Sequence, residues 1–221
     1  MKKNSLRRAL PGLVLAPIFA VGLSGCVSLA QHPVQPAVYD FGPGDAPAAG
    51  QVAASPRMPL ILGEIETTAL PEGTAMLYRL AYADGQQLRP YAQARWSVAP
   101  AELVRRTLHE QLSQRQPVLT PQDGAVLHDP GKLQALVLRL ELQDFSQVFD
   151  GPAQSHAWLR LQATLFSRGG TSGEVLLAQR QFVAAQDAAS ADAQGGAKAM
   201  AQASRQLAQD LSSWIAPFAQ P

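Results

Sequence analysis

The sequence predicts an α+β domain: a mixed or antiparallel sheet with two amphipathic helices packed on one face. Three observations carry this. Residues 136–142 and 157–165 place Leu or Ala at every second position, the period of a strand with one buried face. Residues 103–112 and 197–218 repeat apolar residues at three and four, the period of a helix with one buried stripe. Apolar residues make up 47% and charged residues 16% of the 221, a balance that supports a folded core and argues against disorder along the whole chain.

From the N-terminus, residues 1–25 read as a lipoprotein signal peptide. Met1 to Arg8 carries Lys2, Lys3, Arg7 and Arg8 and no acid, and Ala9 to Leu23 follows as a short apolar stretch broken by Pro11, Gly12 and Pro17. A basic start, a short apolar run and small residues before a cut describe an export signal. The run is too short and interrupted for a membrane-spanning helix, which needs about 20 residues. Leu23-Ser24-Gly25-Cys26 resembles the bacterial lipobox. That resemblance implies a diacylglyceryl thioether on Cys26, cleavage before it, and acylation of the new amine by a fatty acid such as palmitate. Cys26 is the single cysteine of the chain, so no intrachain disulfide is available. Val27 follows it; in enterobacterial sorting an Asp there retains a lipoprotein in the inner membrane, so Val27 implies the outer membrane, facing the periplasm.

The formal charge of +1 gives no basic excess for nucleic acid. Cleavage removes four cations and leaves a slightly acidic chain. Attachment to the membrane then rests on acyl chains rather than on charge.

Residues 26–57 read as a lipidated Pro/Ala-rich tether, with Pro33, Pro36, Pro43, Pro47 and Pro56. Within it, Ala37 to Gly42 alternates aromatic and polar residues, as a short edge strand does. Residues 58–221 form one domain. Leu60 to Ile65 and Met76 to Tyr82 are strands. Asp84-Gly85 marks a turn, and Gln87 to Tyr91 returns as a short hairpin partner. Leu103, Val104, Leu108 and Leu112 share a helical stripe, with Ser97 as a start signal and Pro117 as a stop. A meander follows: Leu136 to Leu142, then Ala157 to Leu165, a turn at Gly169 to Gly173, and Glu174 to Ala185. Residues 197–218 make the second helix. Trp158, Phe166, Arg139 and Gln162 fall on the sheet face away from the helices.

Residue patterns for catalysis are absent. There is no Gly-rich phosphate loop and no Gly-x-Ser-x-Gly elbow. His32, His109, His128 and His156 are scattered. His128-Asp129 precedes Pro130-Gly131, which reads as a turn. Glu102, Arg105 and Arg106 are spaced for surface salt bridges. No cofactor, metal or enzymatic activity is expected.

Met76-Leu77-Tyr78-Arg79-Leu80, then Tyr91, Ala94-Arg95-Trp96-Ser97, Pro100, Leu103-Val104 and Leu108 resemble the auxiliary lipoprotein component of ABC-type transporters, a family that includes the lipoprotein of the Pqi (paraquat-inducible) system. The order of the later strands and the terminal helix is similar too. The long Pro/Ala tether departs from the family pattern. The resemblance implies a non-enzymatic role beside an ATPase, a permease and an MCE-family substrate-binding protein that move lipids or other hydrophobic molecules across the envelope. It carries Tyr91, Arg95 and Trp96 over as candidate docking residues, the alternative being that Tyr78 and Trp96 fill the core. A pilotin-like or assembly lipoprotein of an outer-membrane machine is the competing function. A periplasmic hydrolase is disfavoured by the missing nucleophile motif.

Overall fold

A computed structural model describes residues 35–43, 57–68, 70–123, 134–168 and 173–220. The expected signal peptide, Cys26, most of the tether and the His128-Asp129 turn lie outside the described residues.

One eight-stranded mixed sheet is built around a single long strand. The elements in order are β1 (Ala37–Tyr39), β2 (Leu60–Glu66), β3 (Ala75–Leu80), α1 (Ala81–Asp84), β4 (Gly85–Trp96), α2 (Pro100–Ser113), β5 (Val118–Leu119), a 3-10 turn (Pro121–Asp123), β6 (Ala135–Gly151), β7 (Gln154–Arg168), β8 (Glu174–Asp187) and α3 (Ala193–Ile215). One edge of β6 is shared. Its first half pairs in parallel with β2, Leu60 opposite Leu136 and Leu62 opposite Leu138. Its second half pairs in parallel with β3, Tyr78 opposite Gln147 and Leu80 opposite Phe149. The other edge of β6 pairs antiparallel with β7 from Ala135 to Gly151. β8 adds beyond β7, and β4 and then β1 add beyond β3.

The seventeen residues of β6 exceed the alternating stretch that ends at Leu142. The register against β7 slips between Leu142 and Asp144. A residue inserted there moves the core-facing set from even to odd positions, as bulges do. Before the slip Leu136, Leu138, Leu140 and Leu142 are buried. After it Phe145, Gln147 and Phe149 lie on the core side.

Both helices cover the same sheet face. Leu103, Val104, Leu108 and Leu112 of α2 and Leu207, Leu211 and Ile215 of α3 form one core cluster with Leu138, Leu140, Leu159 and Leu161. The opposite face of β7 carries Trp158, Arg160, Gln162, Thr164 and Phe166, all half-buried. There Arg139 stacks over Phe166 at 4.7 Å and pairs with Glu174 at 2.6 Å.

The structure corrects several boundaries. α2 begins at Pro100, whose missing N–H costs nothing in the first turn, but Ser97 does not cap it. Ala99 is the N-cap residue and supplies no side-chain bond, while the Ser97 hydroxyl donates to Asp40. Glu102 in the first turn pairs with Arg105 at 2.7 Å and Arg106 at 2.8 Å, as the spacing predicted. The hairpin turn at Asp84-Gly85 is a single helical turn instead, and β4 runs on to Trp96 rather than ending at Tyr91. Pro90, within β4, has no N–H to give to a ladder. β1 covers the other edge of β4 only at Ala94 to Trp96, so among the described residues that edge is unpaired at Pro90. α3 begins at Ala193, four residues ahead of Ala197, and takes in Gly195 and Gly196, which close approaches require. A Cβ on Gly195 would lie 2.1 Å from the Ser190 carbonyl oxygen. The segment Ala37–Tyr39 is an edge strand as expected, lying parallel to β4.

Candidate functional site

The residues singled out by sequence lie on and beneath the β3–α1–β4 hairpin. Its tip is fully outward: residues 81–87 are all exposed, with Tyr82 at 51%. Arg79 braces the tip from below. Its guanidinium donates to the carbonyls of Gly85 at 3.5 Å and Gln86 at 3.4 Å, and meets Asp144 at 3.5 Å. Asp84 accepts from the Gln86 N–H at 3.1 Å. α1 runs beside β6, though all four of its residues are exposed.

Tyr91 belongs to this hairpin but turns inward. Its ring is half-buried, 4.7 Å from Tyr78, and Tyr78 in turn meets Phe149 at 5.7 Å. Its hydroxyl donates to Gln147 Oε1 at 2.9 Å. Gln147 is fully buried and donates to Ser155 Oγ at 2.8 Å and to the Asp192 carbonyl at 3.2 Å. This chain of bonds joins the hairpin to the start of α3. There Asp192 caps the helix, accepting from the Gly195 N–H at 2.7 Å and from Ser190 Oγ at 2.9 Å. Burial, and then the neighbouring Tyr78 and Asp192, hold the Tyr91 phenol well above its ordinary pKa. The Gly195 backbone bond holds the Asp192 carboxyl below the usual carboxylate range. Gly196 lies against Gln147 so closely that a Cβ would sit 2.0 Å from Oε1. Sequence reasoning missed Gln147. A polar residue in a strand carries no signal of its partners, and the register slip had already disguised which face it occupies.

Trp96 is a core residue. It is 1% exposed and packs edge-on against Phe41 at 5.8 Å and Phe145 at 5.5 Å. This takes it out of any outward-facing surface and corrects its reading as a docking contact. The physical reason is that β1 and the following Phe41 close over it, with the Ser97 N–H donating to the Tyr39 carbonyl at 2.8 Å. Arg95, its neighbour on β4, points the other way and is exposed. Of the three candidate docking residues, then, Arg95 is on the surface, Tyr91 is half-buried and bonded inward, and Trp96 is interior. Cys26 lies outside the described residues.

Among the described residues no group of three or more His, Cys, Asp or Glu side chains is placed to hold a metal ion. His156 Nδ1 and Asp150 meet at 2.8 Å near the β6–β7 turn, with the ring edge-on to Trp158. Among the described residues no helix is long and apolar enough to cross a membrane.

Comparison with known proteins bears on this arrangement. No curated protein matches the sequence at a significant level. Among solved structures, protein XCC0632 from Xanthomonas campestris is similar over 82% of this chain and 92% of its own, at 18% identity and a TM-score of 0.58. An uncharacterized protein is similar over 82% of this chain and 99% of its own, at 16% identity and a TM-score of 0.57. These two likenesses show a shared fold. The family of ABC-type transport auxiliary lipoprotein components has a sequence model that matches residues 39–212, from β1 into the last turns of α3. The chain therefore belongs to the ABC-type transport auxiliary lipoprotein component family.

Proposed function

We propose that this protein is the outer-membrane-anchored lipoprotein of an envelope ABC transporter that moves lipids or other hydrophobic molecules, and that it docks the transporter's MCE-type substrate-binding protein from the periplasmic face. The observation that carries the reading is the family match over residues 39–212 together with the lipobox at Leu23 to Cys26 just upstream. Acyl chains on Cys26 supply the anchor, since burying each methylene contributes about 0.8 kcal/mol. Val27 directs the mature protein to the outer membrane. The protein itself carries out no chemical step; ATP hydrolysis belongs to another subunit.

The docking contact is the braced hairpin tip with Tyr82, together with exposed Arg95. A surface braced by Arg79 offers a partner a pre-ordered shape, which lowers the ordering cost of association. Tyr91 bonds inward beneath the hairpin and Trp96 is interior at its far end, so neither touches the partner.

The test is co-purification of the full-length lipoprotein from its own membranes. Recovery of an MCE protein, a permease and an ATPase is the expected result. Tyr82→Ala combined with Arg95→Ala should weaken that recovery while the melting temperature stays fixed. Recovery of secretin subunits instead would replace the reading with the pilotin-like one, and a Tyr82/Arg95 variant that binds normally would remove the hairpin from the interface.

A further inference from the structure

We propose that the outer edge of β8, with the groove between β8 and α3, takes up an extended segment of a second protein by strand addition, the segment presenting an apolar-x-acidic pattern to the groove. This surface is separate from the hairpin and does not depend on the partner named above.

β8 pairs with β7 along one edge, and among the described residues nothing pairs with the other. A row of unpaired N–H and C=O groups accepts a strand and not a helix. The usual blocks are sparse: the strand holds no Pro, and from Gln181 to Gln186 it holds no charge. Beside this edge lies a groove of about 380 Å³, lined by Arg180 to Val183 on the strand side and by Asp210, Ser213 and Trp214 on the helix side. Four consecutive strand residues point to alternate faces, so the strand's own edge forms that wall.

The groove's chemistry selects the segment. Phe182 meets Trp214 edge-on at 5.6 Å, which gives an apolar notch. Arg180 lies two residues away on the same face, opposite Ala163 as Phe182 is opposite Leu161. Its guanidinium rests over the Phe182 ring at 5.1 Å, is exposed, and makes no ion pair with a described carboxylate. Asp210 on the facing wall already accepts from Gln206 at 3.0 Å. Side chains two apart on an incoming strand share a face, so in an antiparallel addition an apolar residue at Trp214 places the residue two positions on beside Arg180, where a carboxylate is complementary.

A second copy of the chain fits less well. Val175, Leu176 and Val183 are exposed on this strand. Leu177 is passed over in the register with β7, where Leu165 faces Ala178 and Phe166 faces Leu176. The antiparallel self-pairing that covers Leu176 with Val183 and keeps the faces matched puts Arg180 opposite Arg180. Like charges directly opposed destabilise a sheet, which favours a different partner with an acid at that place.

The test uses the full-length lipoprotein in detergent and a blocked ten-residue synthetic peptide alternating Thr and Val, with one Leu and a Glu two positions after it. Hydrogen exchange read by mass spectrometry should show protection of the β8 amides on peptide addition. Replacing the Glu by Lys should weaken binding about twofold to fivefold, the range of an exposed charge pair. Arg180→Glu, an exposed change that leaves the circular dichroism unaltered, should reverse that preference. Trp214→Ala should weaken both peptides. Absence of β8 protection at the peptide's solubility limit overturns the proposal. So does equal binding of a peptide whose backbone is N-methylated at alternate positions, because strand pairing needs those donors. Protection of β8 that rises with protein concentration in the absence of peptide would show that a second copy covers the edge, and overturns it as well.

Discussion

Gly196→Ala isolates the junction between α3 and the buried network beneath it. Replacing a helical Gly by Ala ordinarily stabilises by about 1 kcal/mol through helix propensity. Here the new methyl would stand 2.0 Å from Gln147 Oε1 and 2.5 Å from its Cδ. Gln147 cannot swing aside freely, because it is fully buried and bonded to Tyr91, Ser155 and Asp192. Overpacking of this kind costs about 1–3 kcal/mol. Stranding one buried polar partner adds about 1–3 kcal/mol. With the propensity gain subtracted, the substitution should destabilise by about 3 kcal/mol, within a range of about 1–5. At about 2–4 °C per kcal/mol for a domain of this size, the melting temperature should fall by about 10 °C. Urea unfolding at 25 °C followed by circular dichroism measures it, with an unchanged slope marking a change in stability alone. Adding Gln147→Ala to Gly196→Ala removes the clash, so the double variant should lose less than the two single losses combined. Equal or greater stability of Gly196→Ala would refute the reasoning, since propensity would then have outweighed the contact.

Further outcomes follow from other parts of the fold. Leu140→Ala, at a site 3% exposed between the sheet and the helices, should cost about 2–5 kcal/mol, whereas Gln206→Ala on the solvent side of α3 should cost less than about 0.5 kcal/mol; chemical denaturation separates them. Asp192 has its folded pKa lowered by the Gly195 and Ser190 bonds. Its contribution is therefore present above the unfolded pKa and lost as pH falls through the folded one. Asp192→Asn should flatten the acid limb of the stability profile and leave neutral pH little changed, since Asn also caps helices; an unaltered acid limb would assign that limb to other carboxylates. Cys26→Ala should abolish metabolic palmitate labelling, and undiminished label in the variant would refute acylation at that site.

The parts of the fold with unbroken periodicity were legible in the sequence. Leu103 to Leu112 and Leu207 to Ile215 are buried on one sheet face together with Leu138, Leu140, Leu159 and Leu161, as their spacing required. Legibility failed where a register slip changes the period. Beyond Leu142 the alternation of β6 resumes one residue out of phase, and the strand's second half is invisible to a period-two reading. The exposed Val175 and Leu176 at the start of β8 precede a similar slip. At the candidate docking surface, sequence could name Tyr91, Arg95 and Trp96 but not orient them. Adjacent residues of a strand face opposite ways, so Arg95 and Trp96 cannot both be outward. Trp96 is the one that turns in, against Phe41 and Phe145, both distant from it in sequence. Gln147 drew no notice because two of its three partners, Tyr91 and Asp192, are distant in sequence.

The divided edge of β6 also sets which pairings of the sheet are local and which are distant. β6, β7 and β8 form neighbouring antiparallel pairs through short connections, which close quickly. β3 can pair locally with β4, but the pairings that join β2 and β3 to the rest of the sheet span long stretches of chain: Leu60 must find Leu136, and Tyr78 must find Gln147. Such distant parallel pairings carry the full entropy of closing long loops and set slow folding rates. The C-terminal meander thus serves as one rail, with β2 and the β3–β4 hairpin seated along two separate stretches of it.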